Sequence, residues 1–437
     1  MTARRTAAAG LMAAALAAGW AAGRTQAAEA LSLAPPPAAD AGDRAWVEMV
    51  PAGRELRAVT HADGCPTASV DGAARPMRPR VARDAAFAVG VCALALRPQD
   101  RVAEVAGARL VLAPVTPRRI VILGDTGCRV KGRTVQACDD PKAWPFPQVA
   151  AHAAARRPDL IVHVGDYLYR ESPCPEGDAR CAGSPHGDTW AAWTADFFAP
   201  AGPLLTAAPW VFVRGNHESC ARSAVGWFRL LDAAPEPPTC PAESAPFAVD
   251  IGGTSLVVLD SADTDDREVK NDQAFRAQYE AGLKLAPGPV WIVTHRPVWA
   301  VVPAAKLGPL GQIEVGLNRS EQVALHGEDL GRVDLMLSGH VHEFEALDFG
   351  AGRPPQLVVG TGGDIAEDGA TPAFVRTVVG LDGLDAKLLQ FARFGYLVLD
   401  RKGPGWTGAF YDADDRLTAA CSLAGRTLAC APVNQGR

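Results

Sequence analysis

Five short segments of this chain carry side chains that commonly bind metal ions. In chain order they are Gly124-Asp125-Thr126-Gly127, Gly165-Asp166-Tyr167-Leu168-Tyr169, Gly215-Asn216-His217-Glu218, Thr294-His295-Arg296-Pro297 and Gly339-His340-Val341-His342. Carboxylate, phenolate, amide and imidazole groups in one chain supply enough ligands for two ions. Two cations about 3.5–4 Å apart form the clamp used for hydrolytic displacement at phosphorus. The residue types therefore predict a two-metal hydrolytic site.

Short apolar runs before and between these segments predict the strands that position them. The runs are Ile120–Leu123, Leu160–Val164, Trp210–Val213, Leu256–Leu259, Val290–Val293, Leu335–Leu337 and Leu357–Val359. They alternate with helix-length segments at Pro147–Arg157, Thr189–Phe198 and Asn271–Leu285. This alternation favours a layered α/β unit, in which loops at the strand ends bring ligands together.

The residues before this unit have a different pattern. Short apolar or alternating runs are separated by Gly, Pro and Asp, at Ala45–Val50, Thr67–Val70, Phe87–Leu96 and Arg109–Leu112. No long helical period accompanies them, which is typical of an all-β region. Because 437 residues exceed what one core usually organises, we expect a small β-sandwich-like domain at 44–115 and a catalytic domain at 116–437.

The N-terminus is typical of a secretory signal peptide. Arg4 and Arg5 precede the uncharged apolar stretch Ala7–Ala22, and Ala28-Glu29-Ala30 is a small-x-small cleavage candidate. We therefore expect a signal peptide at 1–30, a Pro-rich linker at 31–43, and export to the periplasm or the medium. The alternative is a permanent membrane anchor, which the short Ala-rich stretch disfavours.

Ten cysteines follow this segment. An even number in an exported chain suggests disulfides, and the short spacings suggest pairing between neighbours. The neighbouring pairs are Cys65/Cys92, Cys128/Cys138, Cys174/Cys181, Cys220/Cys240 and Cys421/Cys430. A cysteine metal site is the alternative, although the chain has no Cys-x-x-Cys. Sequence alone leaves the connectivity open.

The formal net charge is −6. A nucleic-acid-binding protein usually carries a basic patch or stripe, and this balance gives no sign of one. We therefore expect a small-molecule substrate, no nucleic-acid partner and no stable membrane anchor. The oligomeric state is left open by the sequence.

Taken in order, the five segments resemble those of the calcineurin-like metallophosphoesterases, and more narrowly those of the purple acid phosphatases. The resemblance extends from about Arg119 to Asp400. It implies an α/β fold built as a four-layer αββα sandwich. It also implies an enzyme of the acid phosphatase type.

One departure from the wider superfamily concerns Gly127. Many relatives have Asp-x-His at this segment, with the His as a metal ligand, whereas this chain has Gly127 in that place. Tyr169, three residues after Asp166, compensates in the purple acid phosphatase pattern. A tyrosinate is a hard anionic oxygen donor that suits Fe(III). Taken alone, Tyr169 would be interpreted as an ordinary half-buried aromatic residue.

The resemblance implies a role for each ligand residue. Asp125, Asp166, Tyr169 and His342 would bind the first ion, Fe(III). Asp166 would bridge to a second divalent ion, which Asn216, His295 and His340 would complete. Imidazole suits several metals, so the second ion is left as Fe, Zn or Mn.

The remaining polar residues of the motifs have other expected roles. By resemblance, His217 would lie beside the phosphate and donate a proton to the leaving group. Glu218 either orients imidazoles from a second shell or is a plain helix-start carboxylate. Arg296 either contacts an anionic substrate or lies at the surface. His163, on an apolar strand, is interpreted as a hydrogen-bonded structural residue.

These inferences predict an exported phosphatase that hydrolyses phosphomonoesters by a metal-activated hydroxide. Two alternatives stay open. A phosphodiesterase could use the same scaffold, because the motifs do not separate the two activities. A non-catalytic exported binding protein with a decayed site is the other, although every expected ligand position is occupied by a suitable residue.

Overall fold

The computed structural model describes residues 42–112, 116–235, 239–306, 312–366 and 374–433. The expected signal peptide at 1–30 and nearly all of the expected linker at 31–43 lie outside these ranges. Among the helices of the described ranges, none is long and apolar enough to cross a membrane.

Strands dominate the described chain. The first segment contains β1 (Arg44–Val50), β2 (Gly53–Thr60), β3 (Thr67–Val70), β4 (Ala73–Pro76), β5 (Arg78–Val81), β6 (Gly90–Ala95), β7 (Val102–Val105) and β8 (Ala108–Val111). The strands from 119 to 359 are β9 (Arg119–Leu123), β10 (Val130–Lys131), β11 (Thr134–Val135), β12 (Leu160–His163), β13 (Trp210–Phe212), β14 (Phe247–Asp250), β15 (Ser255–Val258), β16 (Val290–Val293), β17 (Ala300–Lys306), β18 (Gln312–Leu317), β19 (Val333–Ser338), β20 (Phe344–Asp348) and β21 (Gln356–Val359). The C-terminal strands are β22 (Val375–Leu381), β23 (Leu384–Phe391), β24 (Gly395–Lys402), β25 (Gly405–Asp412), β26 (Leu417–Ala424) and β27 (Thr427–Pro432).

The α-helices of the described ranges have 4 to 14 residues. They are α1 (Phe146–Ala155), α2 (Trp190–Trp193), α3 (Gly202–Leu205), α4 (Ala224–Leu230), α5 (Asp272–Leu285) and α6 (Arg319–Leu325). Both α2 and α6 begin with a side-chain N-cap. Asn318 caps α6 by accepting the Glu321 N–H at 3.0 Å. The helix expected over Thr189–Phe198 is divided into α2 and a π-helical turn, Thr194–Phe198.

Two sheets form the centre of the molecule. The larger has the order β27-β26-β25-β24-β9-β12-β13-β1-β2-β6-β5, and the smaller has the order β14-β15-β16-β19-β21-β20-β23-β22. Their facing surfaces share one buried core that includes Ile122, Val162, Val293 and Leu337. These two sheets are the inner layers of the αββα sandwich, whose outer layers must be helices.

Helices cover both outer surfaces. Residues of α1 to α4 pack on the outer side of the larger sheet, where Phe146 and Trp227 are buried. Residues of α5 and α6 pack on the outer side of the smaller sheet, where Phe275 and Leu325 are buried. The four layers confirm the αββα fold expected from the resemblance.

The N-terminal region is all-β, as expected, and it forms two layers. A four-stranded sheet, β4-β3-β7-β8, shares a buried core with β1 and β2 that includes Leu56, Val70 and Leu110. The second layer is continuous with the larger sheet, because β1 pairs in parallel with β13 through Glu48 and Trp210. The division into domains at 115/116 therefore stays a prediction.

The structure contains all five disulfides expected between neighbouring cysteines. They join Cys65–Cys92, Cys128–Cys138, Cys174–Cys181, Cys220–Cys240 and Cys421–Cys430. No cysteine of the described ranges is free. Two of the bridges tie loops that follow Asp125 and His217, which are predicted site residues.

Candidate metal centre

Parallel strands from both sheets bring the five segments to one end of the sandwich. β9 pairs in parallel with β12, and β12 with β13, so their following loops lie side by side. β16 and β19 are also parallel neighbours in the smaller sheet. Each of these five strands is followed within a few residues by one of the predicted ligand segments.

Two carboxylates occupy tight turns at the ends of β9 and β12. Asp125 has φ 56° and Asp166 has φ 59°, in the left-handed region that non-glycine residues seldom adopt. The two turns are joined, because the Asp125 N–H donates to the Gly165 carbonyl at 2.9 Å. Backbone conformations of this kind cluster at functional sites, where the surrounding structure maintains them.

The four residues predicted for the first ion converge on one point. Tyr169 Oη lies 3.1 Å from Asp125 Oδ1, 2.9 Å from Asp166 Oδ2 and 3.2 Å from His342 Nε2. His342 Nε2 is also 3.5 Å from Asp125 Oδ1. Asp125, Asp166 and Tyr169 are buried. Three oxygen donors and one imidazole therefore share a buried cluster.

The four residues predicted for the second ion share Asp166 with the first group. His295 Nε2 lies 3.0 Å from Asn216 Oδ1 and 3.2 Å from Asp166 Oδ2. Asp166, His295 and His340 each offer a donor atom, and these atoms lie within 4.8 Å of one another, close enough to hold one cation. Asp166 is thus the residue common to both groups.

The electrostatics of the cluster suit a cation. Burial raises the pKa of Tyr169 well above its ordinary value, and the carboxylates of Asp125 and Asp166 raise it further. A bound cation acts in the opposite direction and favours the phenolate. Burial also raises the pKa of Asp166, but His295 and His217 outweigh burial and hold that pKa well below its ordinary value.

Each predicted histidine ligand is held by an outer partner on one ring nitrogen. The contacts are His295 Nδ1 to Val164 O at 2.8 Å, His340 Nε2 to Asp266 Oδ2 at 2.9 Å and His342 Nδ1 to Ile365 O at 2.8 Å. An outer hydrogen bond of this kind fixes the ring orientation and the tautomer. The opposite nitrogen of each ring is then available to a metal.

His217 has different neighbours from the ligand histidines. Its Nδ1 lies 3.1 Å from Leu168 O and 2.8 Å from Glu171 Oε1. Its Nε2 lies 3.7 Å from Asp166 Oδ2, and its ring packs against that of Tyr169 with centroids 3.8 Å apart. Nδ1 therefore has two acceptors and the Arg222 Nη2 donor, at 2.7 Å, around it, whereas Nε2 is the ring nitrogen that lies nearest Asp166.

Glu218 is a carboxylate in the first turn of the 3-10 segment Asn216–Glu218, as one of its two expected roles has it, and it also binds the loop after β12. Its carboxylate accepts backbone N–H groups of Gly215, Asp166, Tyr167 and Leu168 at 2.9–3.2 Å. It therefore fastens the loop after β12 to the loop after β13. Burial, with a contribution from Asp166, raises the pKa of Glu218 to about 8.

Arg296 and His163 are both largely removed from solvent and both have polar partners near the cluster. The Arg296 side chain is only 13 % exposed, so the surface interpretation is wrong. It donates to Asp266 Oδ2 at 2.8 Å and lies 2.9 Å from His340 Nε2. His163 is buried, lies 3.0 Å from the Thr126 hydroxyl and stacks on Tyr167, which confirms its structural interpretation.

Several polar residues around the cluster were not identified from the sequence. They are Glu171 and Arg222 beside His217, Asp266 beside His340, Asp364 beside His342 and Asp196 beneath Tyr169. Glu171 lies two residues after Tyr169, and this closeness to a predicted ligand is the sequence signal that could have identified it. The others come from loops and turns whose local sequence has no metal-site pattern.

Comparisons with known proteins agree with this geometry. A family model described as calcineurin-like phosphoesterase matches residues 118–344. No match is found among curated protein sequences. Among solved structures, a purple acid phosphatase from seeds of yellow lupin (Lupinus luteus) is similar with a TM-score of 0.58 and 12% identity, over 88% of this chain and 74% of the lupin chain.

A second solved structure, PhoD, is similar with a TM-score of 0.52 and 12% identity, over 91% of this chain and 93% of that chain. At such identities the likeness to both structures concerns the fold. The family model, in contrast, covers more than half of the chain and all five ligand segments. The chain therefore belongs to the calcineurin-like phosphoesterases.

Proposed function

We propose that this protein is an exported, acid phosphatase-like hydrolase of phosphomonoesters whose site holds Fe(III) and a second divalent ion. One observation carries the proposal. Tyr169 Oη lies within 3.2 Å of both carboxylates and the imidazole that accompany it in the predicted first-ion group. Family membership supports phosphoester hydrolysis in general.

The donor chemistry supports this assignment of the ions. The first group offers two carboxylates, a phenol and one imidazole, and hard oxygen donors favour a highly charged ion such as Fe(III). The second group offers Asp166, the neutral amide oxygen of Asn216 and two imidazoles, which suit Fe, Zn or Mn. A side chain at Gly127 would collide with the Tyr169 ring, so the Gly127–Tyr169 combination is sterically consistent.

Two cations in this cluster would neutralise phosphate oxygens and supply a hydroxide nucleophile near neutral pH. The protein itself would contribute the proton for the leaving alcohol. Glu171 and Leu168 O are acceptors beside Nδ1 of His217, and Nε2 is the ring nitrogen nearest Asp166. A protonated His217 can then donate from Nε2 as the ester bond breaks. Glu171 acts through His217 as a positioning residue.

Three guanidinium groups lie around the cluster and offer N–H donors to phosphate oxygens, although each is also paired with one carboxylate, Asp364, Glu171 or Asp266. Arg129 lies over the Tyr169 ring at 5.0 Å, Arg222 lies beside His217 and Arg296 beside His340. A phosphomonoester carries up to two negative charges near neutral pH, whereas a phosphodiester carries one. Guanidinium groups bind phosphate oxygens strongly.

Disulfide content supports export. Five disulfides are unusual in a reducing cytosol and typical of the periplasm or the extracellular space. The predicted signal peptide is consistent with the same destination.

The test combines metal analysis with steady-state kinetics on the purified chain. Two substrates share one leaving group: 4-nitrophenyl phosphate, a monoester, and methyl 4-nitrophenyl phosphate, a diester. We expect two metal ions per chain, one of them iron, and a higher kcat/KM for the monoester. A higher value for the diester would make the protein a phosphodiesterase. Full metal content with turnover of neither would indicate a binding protein.

A further inference from the structure

Arg222 lies beside His217 in the candidate site, although no ligand motif contains it. It occupies the turn between the 3-10 segment Asn216–Glu218 and α4. The next residue holds this turn against His217, because the Ser223 hydroxyl donates to the His217 carbonyl at 2.7 Å. The backbone therefore fixes Arg222 beside the predicted general acid.

The guanidinium of Arg222 lies over the His217 ring. Its Nη2 is 2.7 Å from Nδ1 and 2.8 Å from Nε2 of that ring. A donor in the plane of an imidazole can serve only one of the two nitrogens, so the guanidinium must lie above the plane. His217 Nε2 is in turn 3.7 Å from Asp166 Oδ2, which places Arg222 at the edge of the ligand cluster.

Arg222 has hydrogen-bonding capacity to spare. A guanidinium has five N–H donors. One nitrogen pairs with Glu171, and Nη1 has a long contact of 3.4 Å to the Asn216 carbonyl. Nε is buried and has no hydrogen-bond partner within the part of the chain that the structure describes. The side chain is 22% exposed, so a ligand can reach it.

We propose that Arg222 binds the non-bridging oxygens of the substrate phosphoryl group and thereby selects phosphomonoesters over phosphodiesters. This inference rests on the proposed function and names the residue that sets its substrate class. A phosphoryl group that contacts both His217 and the Asp166 cluster lies within reach of this guanidinium. The guanidinium recognises two oxygens at once, with charge-assisted hydrogen bonds.

The selectivity follows from charge and space. A monoester dianion presents three non-bridging oxygens. If some of them bind the cations held by the ligand cluster, at least one remains for Arg222. A diester has one negative charge fewer, and its second ester group replaces one of those oxygens. Removal of Arg222 should therefore weaken catalysis on the monoester much more than on the diester.

The experiment measures kcat/KM for 4-nitrophenyl phosphate and methyl 4-nitrophenyl phosphate in wild type, Arg222→Met, Arg222→Lys and Arg180→Met. Arg180 is a matched control: it is 53% exposed and its side chain bonds to Asp178. For Arg222→Met we expect the monoester value to fall about 10- to 100-fold and the diester value to fall much less. Inhibition by inorganic phosphate should weaken in parallel. Arg222→Lys should show a smaller loss, and Arg180→Met none.

Equal losses on both substrates, or an unchanged ratio in both Arg222 variants, would overturn the inference. Metal content and thermal unfolding show whether a variant folds. If Arg222→Met does not fold, the ratio of monoester to diester kcat/KM in Arg222→Lys, which keeps the positive charge, tests the inference instead. A wild type that does not prefer the monoester contradicts the proposed function together with this inference. A wild type that prefers the monoester, with that preference kept in both variants, contradicts the role of Arg222 alone.

Discussion

The Tyr169 side chain packs directly against Gly127, and no room remains for a side chain at position 127. A β-carbon at Gly127 would lie 2.8 Å from Tyr169 Cδ2 and 2.9 Å from the Tyr169 backbone nitrogen. It would also lie 2.6 Å from the Tyr167 carbonyl oxygen. The tyrosine ring therefore lies where a residue larger than glycine would project.

Gly127→Ala should disturb the first-ion group, because two of the three close contacts involve backbone atoms that cannot rotate away. We expect a loss of about 1–3 kcal/mol in the free energy of unfolding, the usual cost of overpacking. The content of the first ion should also fall. Urea unfolding and metal analysis measure the two effects. Gly64→Ala is the control, since a β-carbon there meets nothing within 4 Å; similar behaviour of the two variants would refute the steric argument.

Asp166 is the only residue assigned to both ions, so its substitution should remove more metal than that of a residue assigned to one. Asp166→Asn is expected to lose both ions after dialysis, whereas Asn216→Ala should lose mainly the second. Metal analysis of the two dialysed variants makes the comparison. Equal losses would argue against a bridging carboxylate.

His217→Ala should keep both metals, because the His217 ring is held by Leu168 O and Glu171 and no role as a ligand is assigned to it. Its kcat should fall by about 10²–10⁴, the usual contribution of a positioned general acid. The loss should be smaller for 4-nitrophenyl phosphate than for an alkyl phosphate, since nitrophenolate needs little proton donation. A deficit that is the same for both leaving groups would show that His217 positions the substrate instead.

Glu321 gives a pH-dependent prediction for stability. Burial raises its pKa to about 8 from 4.5, and within the described ranges its carboxylate accepts one hydrogen bond, from the Thr264 hydroxyl at 3.1 Å. Between these values the folded protein retains the proton and the unfolded chain has lost it. Stability should therefore fall as pH rises, by up to about 1.4 kcal/mol per pH unit from this group.

Glu321→Gln cannot ionise, so its stability relative to wild type should be greater at pH 8 than at pH 5. Urea unfolding at the two pH values measures the difference. Glu176→Gln, at an exposed glutamate, controls for the loss of one carboxylate. The same stability difference between Glu321→Gln and wild type at both pH values would contradict the prediction.

Much of the site could be predicted because its ligands follow local patterns. Each ligand segment comes directly after a buried strand, so Asp125, Asp166 and His340 could be placed at strand ends from the sequence. Neighbouring cysteines were paired on spacing alone, and all five pairs occur in the structure. Local hydrophobic pattern and short loops encode both features.

Other features depend on contacts between distant residues and have no local signal. Glu48 and Trp210 join the N-terminal strands to the larger sheet across a long stretch of chain. Arg222 and Asp266 reach the site from turns whose sequence resembles ordinary polar loops. The antiparallel strands β22 to β27 were also missed, because the α/β pattern from which strands were identified ended with Leu357–Val359.

The proposed ligation of Fe(III) by Tyr169 is tested most directly by the visible spectrum of the oxidised protein. Wild type should absorb visible light through charge transfer from phenolate to iron, with metal analysis on the same sample showing the iron. Tyr169→Phe should lose the band while its fold, checked by circular dichroism, remains intact. A colourless wild-type protein that contains stoichiometric iron would contradict the account.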